Sequence, residues 1–136
     1  MQQKKLLRKK YYLLREKKYF EVNKNFFNPF VKLIKYKFKN KRIKIALYYP
    51  SSFEINVIKS LEIKYIYNQN ILLPVIRENN MMSFFSWKKN EVLLVNKYGM
   101  LEPVNSNNNV PNVMLVPLLV FDKYKYRLGY GKGFYD

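Results

Sequence analysis

Val113-Met-Leu-Val-Pro-Leu-Leu-Val-Phe121, a short basic turn, and then Arg127-Leu-Gly-Tyr-Gly-Lys-Gly-Phe-Tyr-Asp136 form the stretch on which the fold turns. The first part is apolar nearly throughout, the pattern of a strand covered on both faces of a sheet. It predicts one buried strand over 113–121. The second part holds three of the four glycines in the chain, at 129, 131 and 133. Glycine tolerates positive φ, so such a cluster lets backbone N–H groups converge on an anion in a phosphate-binding nest. Arg127 and Lys132 add positive charge, and Asp136 is a carboxylate that could share Mg²⁺ with phosphate oxygens. The spacing is neither that of a Walker loop nor that of a dinucleotide-binding turn. A plain glycine hairpin with incidental charges fits the same residues.

Upstream, strands and helices alternate. Ile43–Tyr49 reads as a strand stopped by Pro50, Asn70–Ile76 as a short buried strand, and Val92–Val95 as another. Residues 81–87 suit a strand or a pocket-lining loop. Leu6, Leu7, Tyr11, Leu14 and Lys18 recur at helical spacing and predict an amphipathic helix over 2–20. Asn28-Pro29 predicts a second helix to about residue 39, with Asn28 as its cap and Lys32, Lys35 and Lys39 on its wet face. Ser51-Ser52 precede a third predicted helix, Glu54 to about Tyr67, with Ile55, Ile58 and Leu61 setting the period. Asn105–Asn109 is a polar loop. The expected fold is a three-layer, Rossmann-like α/β domain over residues 1–136, with a mainly parallel sheet flanked by helices.

Composition narrows the chemistry. The chain has 136 residues, enough for one domain with a real core. It contains no cysteine and no histidine, which excludes disulfide scaffolds, thiolate or imidazole metal sites, and histidine-based triads. No apolar run approaches the roughly 20 residues of a membrane span, and the basic N-terminus lacks the apolar segment of a signal peptide. The expectation is a cytoplasmic monomer that does not engage a membrane.

The net charge of +17 is uneven. Residues 1–44 hold 16 Lys and Arg against Glu16 and Glu21, residues 45–122 are balanced, and residues 123–136 carry +3. The charge therefore sits at the two ends. One source is an anion-binding face; another is AT-rich codon usage, which also favours the abundant Asn, Ile, Tyr and Phe. A competing functional reading makes residues 1–44 a non-enzymatic nucleic-acid binder, with Tyr and Phe between the cations. That reading leaves the glycine cluster unexplained.

Leu115-Val-Pro-Leu-Leu-Val-Phe-Asp122 with the glycine motif closely resembles the signature of the 5-formyltetrahydrofolate cyclo-ligase (5,10-methenyltetrahydrofolate synthetase) family. Lys4-Lys5-Leu6-Leu7-Arg8 is similar to its N-terminal K-x-x-L-R. Ile45-Ala-Leu-Tyr-Tyr-Pro50 with Glu54, Leu73-Pro74-Val75, Met82-Ser-Phe84 and Tyr98-Gly99-Met-Leu-Glu102-Pro103 follow in the family's order.

The resemblance implies an ATP- and Mg²⁺-dependent ligase that closes 5-formyltetrahydrofolate to 5,10-methenyltetrahydrofolate, releasing ADP and phosphate. It implies ATP contacts from Lys4, Lys5, Leu6, Leu7 and Arg8 and from Arg127, Leu128, Gly129, Tyr130, Gly131, Lys132, Gly133, Phe134 and Tyr135. It places the folate against Tyr49, Glu54 and Tyr130 to Phe134, and a metal ion at Asp136. Lys4 and Arg8 lie four apart on one helical face, so both can reach one polyphosphate; a solvated basic face has the same spacing. Glu54 can grip paired N–H donors of a pterin, or serve as an acid at a helix start. Phe84, Phe85 and Trp87 suit either ring stacking or core packing. The family's chains continue into a C-terminal helix and strand, so the resemblance also implies a C-terminally incomplete fold with lowered stability and turnover.

Overall fold

The computed structural model describes residues 1–104 and 107–136; Asn105 and Ser106, at the start of the predicted polar loop, lie outside them. Its helices are α1 (Gln2–Lys18), α2 (Asn28–Phe38) and α3 (Lys64–Tyr67). Its strands are β1 (Lys44–Ala46), β2 (Asn70–Ile76), β3 (Met82–Ser86), β4 (Leu93–Val95), β5 (Leu101–Pro103), β6 (Val113–Met114), β7 (Val120–Phe121) and β8 (Arg127–Leu128).

Four strands form the main sheet in the order β3-β2-β1-β6. β1 runs parallel to both neighbours, Ile45 opposite Ile71 on one side and Val113 on the other, while β3 is antiparallel to β2. Ile45, Ala46, Leu47, Leu72 and Leu73 are fully enclosed. Consecutive residues of a strand point to opposite faces, so both faces are covered here, as parallel strands require. Val31 and Ile34 of α2 join Phe27, Leu61 and Ile66 in the same core cluster. The mainly parallel sheet flanked by helices agrees with the sequence reading. Pro74 is tolerated in the interior strand β2 for a local reason. Asn70 and Leu72 turn their backbone groups toward the β1 side, and the last bond there runs from Leu47 N–H to the Leu72 carbonyl. Pro74 shares their parity but lies beyond that last bond, so its missing N–H takes nothing from the ladder.

Four expectations need correction. The helix over 54–67 is not continuous: a 3₁₀ segment spans Val57–Glu62, Ile63 is extended (φ −88°, ψ 119°), and only Lys64–Tyr67 is α-helical. Ser60 Oγ donates to the Val57 carbonyl at 2.6 Å, and β-branched Val57, Ile58 and Ile63 have restricted side-chain freedom in a helix. The strand over 113–121 is also broken. Only Val113–Met114 pair with β1, at the sheet edge, and Val120–Phe121 pair instead with Arg127–Leu128 as an antiparallel hairpin. Pro117 lacks an N–H and interrupts the run. α2 is entered from a 3₁₀ turn, Lys24–Phe27, so Asn28 is helical; the side-chain cap belongs to Asn23, whose Oδ1 accepts from Asn25 N–H. Finally, α1 is docked by a different face from the one its leucines mark. Of the predicted stripe, Leu6, Leu7, Leu14 and Lys18 are exposed and Tyr11 is partly buried, alongside Arg8, Tyr12 and Arg15, which the stripe did not include.

Candidate active site

β1 and β6 deliver their carboxyl ends to the same side of the sheet, where ligands of open α/β sheets bind. Beyond β1 the chain passes Pro50 into a turn with Ser52 and Phe53 at positive φ, and so reaches Glu54. Beyond β6 it reaches the β7–β8 hairpin and the glycine motif. Asp122 builds that hairpin's turn, its Oδ1 accepting from Tyr124 and Tyr126 N–H at 2.8 and 2.9 Å. Such side-chain acceptance of nearby backbone donors is the usual work of aspartate in turns.

α1 closes over the motif through two arginines. Arg8 Nε donates to the Gly129 carbonyl at 2.9 Å, and the guanidinium lies on Gly131 so closely that a Cβ there would stand 3.0 Å from Arg8 Cζ. Gly131 also has φ +98°, a conformation open mainly to glycine. Seven residues further along the same helical face, Arg15 donates to the Tyr130 hydroxyl at 2.9 Å and to the Leu119 carbonyl at 2.8 Å. Tyr12 and Tyr19 pack edge-on against Phe53, at ring-centroid distances of 6.2 and 5.7 Å. They thereby fix α1 against the turn that carries Glu54. A cleft of about 310 Å³ opens beside Arg15, walled by Tyr11, Leu14, Phe53, Ile55 and Leu119 among others.

Glu54 is buried, with 9% of its surface exposed. Its Oε2 accepts the Ser51 N–H at 2.8 Å. Burial pushes its pKa above the ordinary glutamate value, while the donors at Ser51 and Tyr130 and the charge of Arg15 hold the rise in check. Tyr48, Tyr130 and Tyr135 lie within electrostatic reach of the same carboxylate. Burial, followed by the charge of Glu54, raises the pKa of all three. The Tyr135 hydroxyl is buried without a hydrogen-bond partner among the described residues.

The remaining predicted residues fall as follows. Lys4, Lys5, Leu6 and Leu7 are exposed on α1, Lys4 one turn before Arg8. Arg127 donates to the Tyr135 carbonyl and to Asp136 Oδ1, at 2.9 and 2.8 Å. Lys132 Nζ sits 4.9 Å over the Tyr98 ring, and Phe134 meets that ring edge-on at 5.3 Å. Tyr49 is turned toward Trp87, whereas its neighbour Tyr48 is buried and donates its hydroxyl to the Ile55 carbonyl, next to Glu54, at 3.0 Å. Phe85 and Trp87 are buried and Phe84 is partly so, which favours the core reading for Phe85 and Trp87. Sequence reasoning missed Arg15 and Tyr48; the seven-residue spacing from Arg8 was the available signal for Arg15. It also missed the purpose of Glu102. That carboxylate accepts from Ile76 N–H and Asn96 Nδ2 at 2.8 and 2.7 Å, clasping the β4–β5 hairpin to β2 and so setting Tyr98 beneath the motif.

The donors suit a phosphate-bound cation and not a dedicated metal cage. Asp136 is a single, largely exposed carboxylate already paired with Arg127, and no group of three acidic side chains converges among the described residues. Mg²⁺ commonly takes one or two protein carboxylates and completes its shell with phosphates and water. No helix among the described residues is long and apolar enough to cross a membrane.

The family model for the 5-formyltetrahydrofolate cyclo-ligase family matches residues 1–136. A 5-formyltetrahydrofolate cyclo-ligase from Haemophilus influenzae is 32% identical over 99 residues, covering 68% of this chain and 53% of that protein. A probable 5-formyltetrahydrofolate cyclo-ligase from Schizosaccharomyces pombe is 28% identical over 83 residues, 56% of this chain and 41% of the other. The chain thus spans about half the length of the curated relatives it matches. Among solved structures, the Aquifex aeolicus 5,10-methenyltetrahydrofolate synthetase superposes with a TM-score of 0.67 at 28% identity, covering 98% of this chain and 70% of its own. The synthetase from Mycoplasma pneumoniae shares the fold, with a TM-score of 0.63 at 24% identity, covering 97% and 74%. With the match running from the first residue to the last, the chain belongs to the 5-formyltetrahydrofolate cyclo-ligase family.

Proposed function

We propose that residues 1–136 act as one cyclo-ligase domain that converts 5-formyltetrahydrofolate to 5,10-methenyltetrahydrofolate with consumption of ATP and release of ADP and phosphate. The observation that carries this reading is the single constellation at the strand ends. A buried carboxylate, Glu54, stands beyond the end of β1, and a glycine motif that Arg8 clamps stands beyond β6 at the same side of the sheet. The carboxylate suits the paired N–H donors of a pterin edge, since it accepts hydrogen bonds and retains free lone pairs beside the Ser51 contact. Tyr130 to Phe134 border both subsites, and Tyr49 stands at the folate side.

The nest suits phosphates. Gly131 and Gly133 have positive φ, the backbone conformation from which anion nests are built, Arg8 lies on Gly131, and Arg127 and Lys132 add charge within the same motif. Lys4 and Lys5 extend this charge along α1, with Leu6, Leu7, Leu128 and Tyr135 framing the same nucleotide site. ATP held there would supply the phosphoryl group that makes the formyl oxygen a leaving group, and Mg²⁺, with Asp136 as the residue that would hold it, would neutralise charge on the phosphates. Phosphoryl transfer depends on positioning and electrostatics more than on a proton-abstracting base. A chain without histidine is therefore equipped for it. Nothing in the geometry favours nucleic-acid binding by residues 1–44, since Arg8 and Arg15 are engaged with the motif.

Incubation with MgATP and 5-formyltetrahydrofolate should produce the absorbance of the methenyl product in proportion to ATP consumed. Absence of product together with absence of binding of either ligand would overturn the proposal.

A further inference from the structure

Tyr98 has no role in the site as built so far, yet three segments meet at its ring. Lys132 Nζ lies 4.9 Å from the ring centroid, Phe134 meets the ring edge-on at 5.3 Å, and the Tyr98 hydroxyl donates to Asn80 Oδ1, between β2 and β3, at 2.8 Å. The backbone that carries the ring is itself fixed. Asn96 Oδ1 accepts from Tyr98 and Met100 N–H at 2.9 and 3.0 Å, while Asn96 Nδ2 donates to the Glu102 carboxylate that clasps this hairpin to β2. Lys97 Nζ approaches the same ring at 5.2 Å. Lys132, by contrast, has little else to hold it. Gly131 and Gly133 flank it in sequence, so neither neighbour has a side chain to steer it, and it forms no ion pair among the described residues.

We infer that Tyr98 is a positioning residue: its ring seats the Lys132 ammonium at the glycine motif without neutralising it, so that the charge and its N–H donors stay available to a phosphate oxygen. A carboxylate partner would cancel the charge and occupy the donors. A ring attracts a cation through its quadrupole and takes up none of them. A lysine side chain already held in this way also has less rotamer freedom to lose when a ligand binds. The Asn80 hydrogen bond sets the ring's orientation, so the β2–β3 turn contributes to the same seat. The functional meaning of the seat rests on the nucleotide reading of the motif, whereas the seat itself rests on these distances.

The test observes Lys132 directly by NMR after reductive ¹³C-methylation, which keeps the lysine charge, with the signal assigned by its loss in Lys132→Arg. In the unaltered protein the ring current of Tyr98 should displace this signal upfield of the exposed lysines of α2. Tyr98→Leu should return it to their position, Tyr98→Phe should keep it displaced, and Lys97→Ala should leave it in place. In turnover on unmethylated protein, KM for ATP should rise about two- to fivefold in Tyr98→Leu, the worth of a cation on an exposed ring, with kcat little changed. General loosening of the fold would not separate KM from kcat in this way. An undisplaced Lys132 signal in the unaltered protein would overturn the inference, and so would an unchanged KM in a folded Tyr98→Leu protein. Should Tyr98→Leu fail to fold, Tyr98→Met keeps the bulk without the ring and carries the same expectations. If the unaltered protein neither binds nor consumes ATP, the nucleotide reading fails, while the methyl signal still decides whether Tyr98 seats Lys132.

Discussion

The central sheet and the α1–glycine motif contact are built by opposite means. Residues 45–53 and 70–76 carry no charge, and Ile45, Leu47, Leu72 and Leu73 are fully enclosed, held by burial that is indifferent to direction. At the α1 contact no helical residue is fully buried, and the joint consists of arginine forks, positive-φ glycines and aromatic edges, each of which works only in one geometry. The difference separates what holds the sheet together from what holds the candidate site in shape. Changes in the first region should cost folding free energy and leave the ligand chemistry of surviving protein intact; changes in the second should do the reverse.

The largest expected effect lies in the sheet. Leu73→Ala should destabilise the protein by about 2–5 kcal/mol through lost burial and a cavity, read from urea unfolding. Ligand affinity of the remaining folded fraction should stay near that of the unaltered protein. A comparable loss of affinity in the folded protein would break the comparison. Next in size, Lys132→Ala should weaken ATP use by about ten- to a hundredfold, the worth of a charged hydrogen bond at roughly 1.5–3 kcal/mol. Lys35→Ala, on the exposed face of α2, should do little. Equal losses in the two variants would mean that the basic residues act as a diffuse field.

Gly131→Ala tests the joint itself. The strained φ should cost about 1–3 kcal/mol, and the new Cβ must displace the flexible Arg8 fork from its seat. ATP binding, followed by calorimetry, should fall more than thermal stability does. The smallest effect, and the one of opposite sign, is expected at Glu54. Its pKa in the folded protein is raised above 4.5 by burial. Between the unfolded and the folded pKa the native state holds more protons than the unfolded one, so stability falls as pH rises through that window. Glu54→Gln should flatten this fall and slightly stabilise the protein at neutral pH while abolishing folate binding. Denaturation midpoints across pH 4 to 8 give the check; a variant destabilised at neutral pH would show that the carboxylate supports the fold.

The sheet was legible because its information is local and redundant. Asn70–Ile76 is short, apolar and bounded by polar residues, and the structure pairs it as β2. The failures share one cause. The 113–121 run reads as one strand by hydropathy, yet Pro117 and the pairing of Val120–Phe121 with Arg127–Leu128 split it in two. The leucines of α1 mark an apolar stripe, but the helix docks through Arg8, Tyr11, Tyr12 and Arg15, because partners for two forked cations and two aromatic rings outbid a narrow leucine seam.

The sequence by itself determined the α/β class, the absence of histidine and cysteine chemistry, and the glycine motif with its charge, since each follows from residue type and short-range spacing. Only the tertiary structure decided which face of α1 docks on the glycine motif, that Tyr48 rather than Tyr49 is buried beside the turn that carries Glu54, and that Glu102 is a clasp. Those choices depend on which backbone carbonyls and hydroxyls come within about 3 Å of a given side chain. Residues as far apart as Arg15 and Tyr130 meet only after the sheet has brought its strand ends together. Hydropathy and spacing carry no record of that meeting, because hydrogen bonds are directional and short, and their partners are fixed by the path of the whole chain.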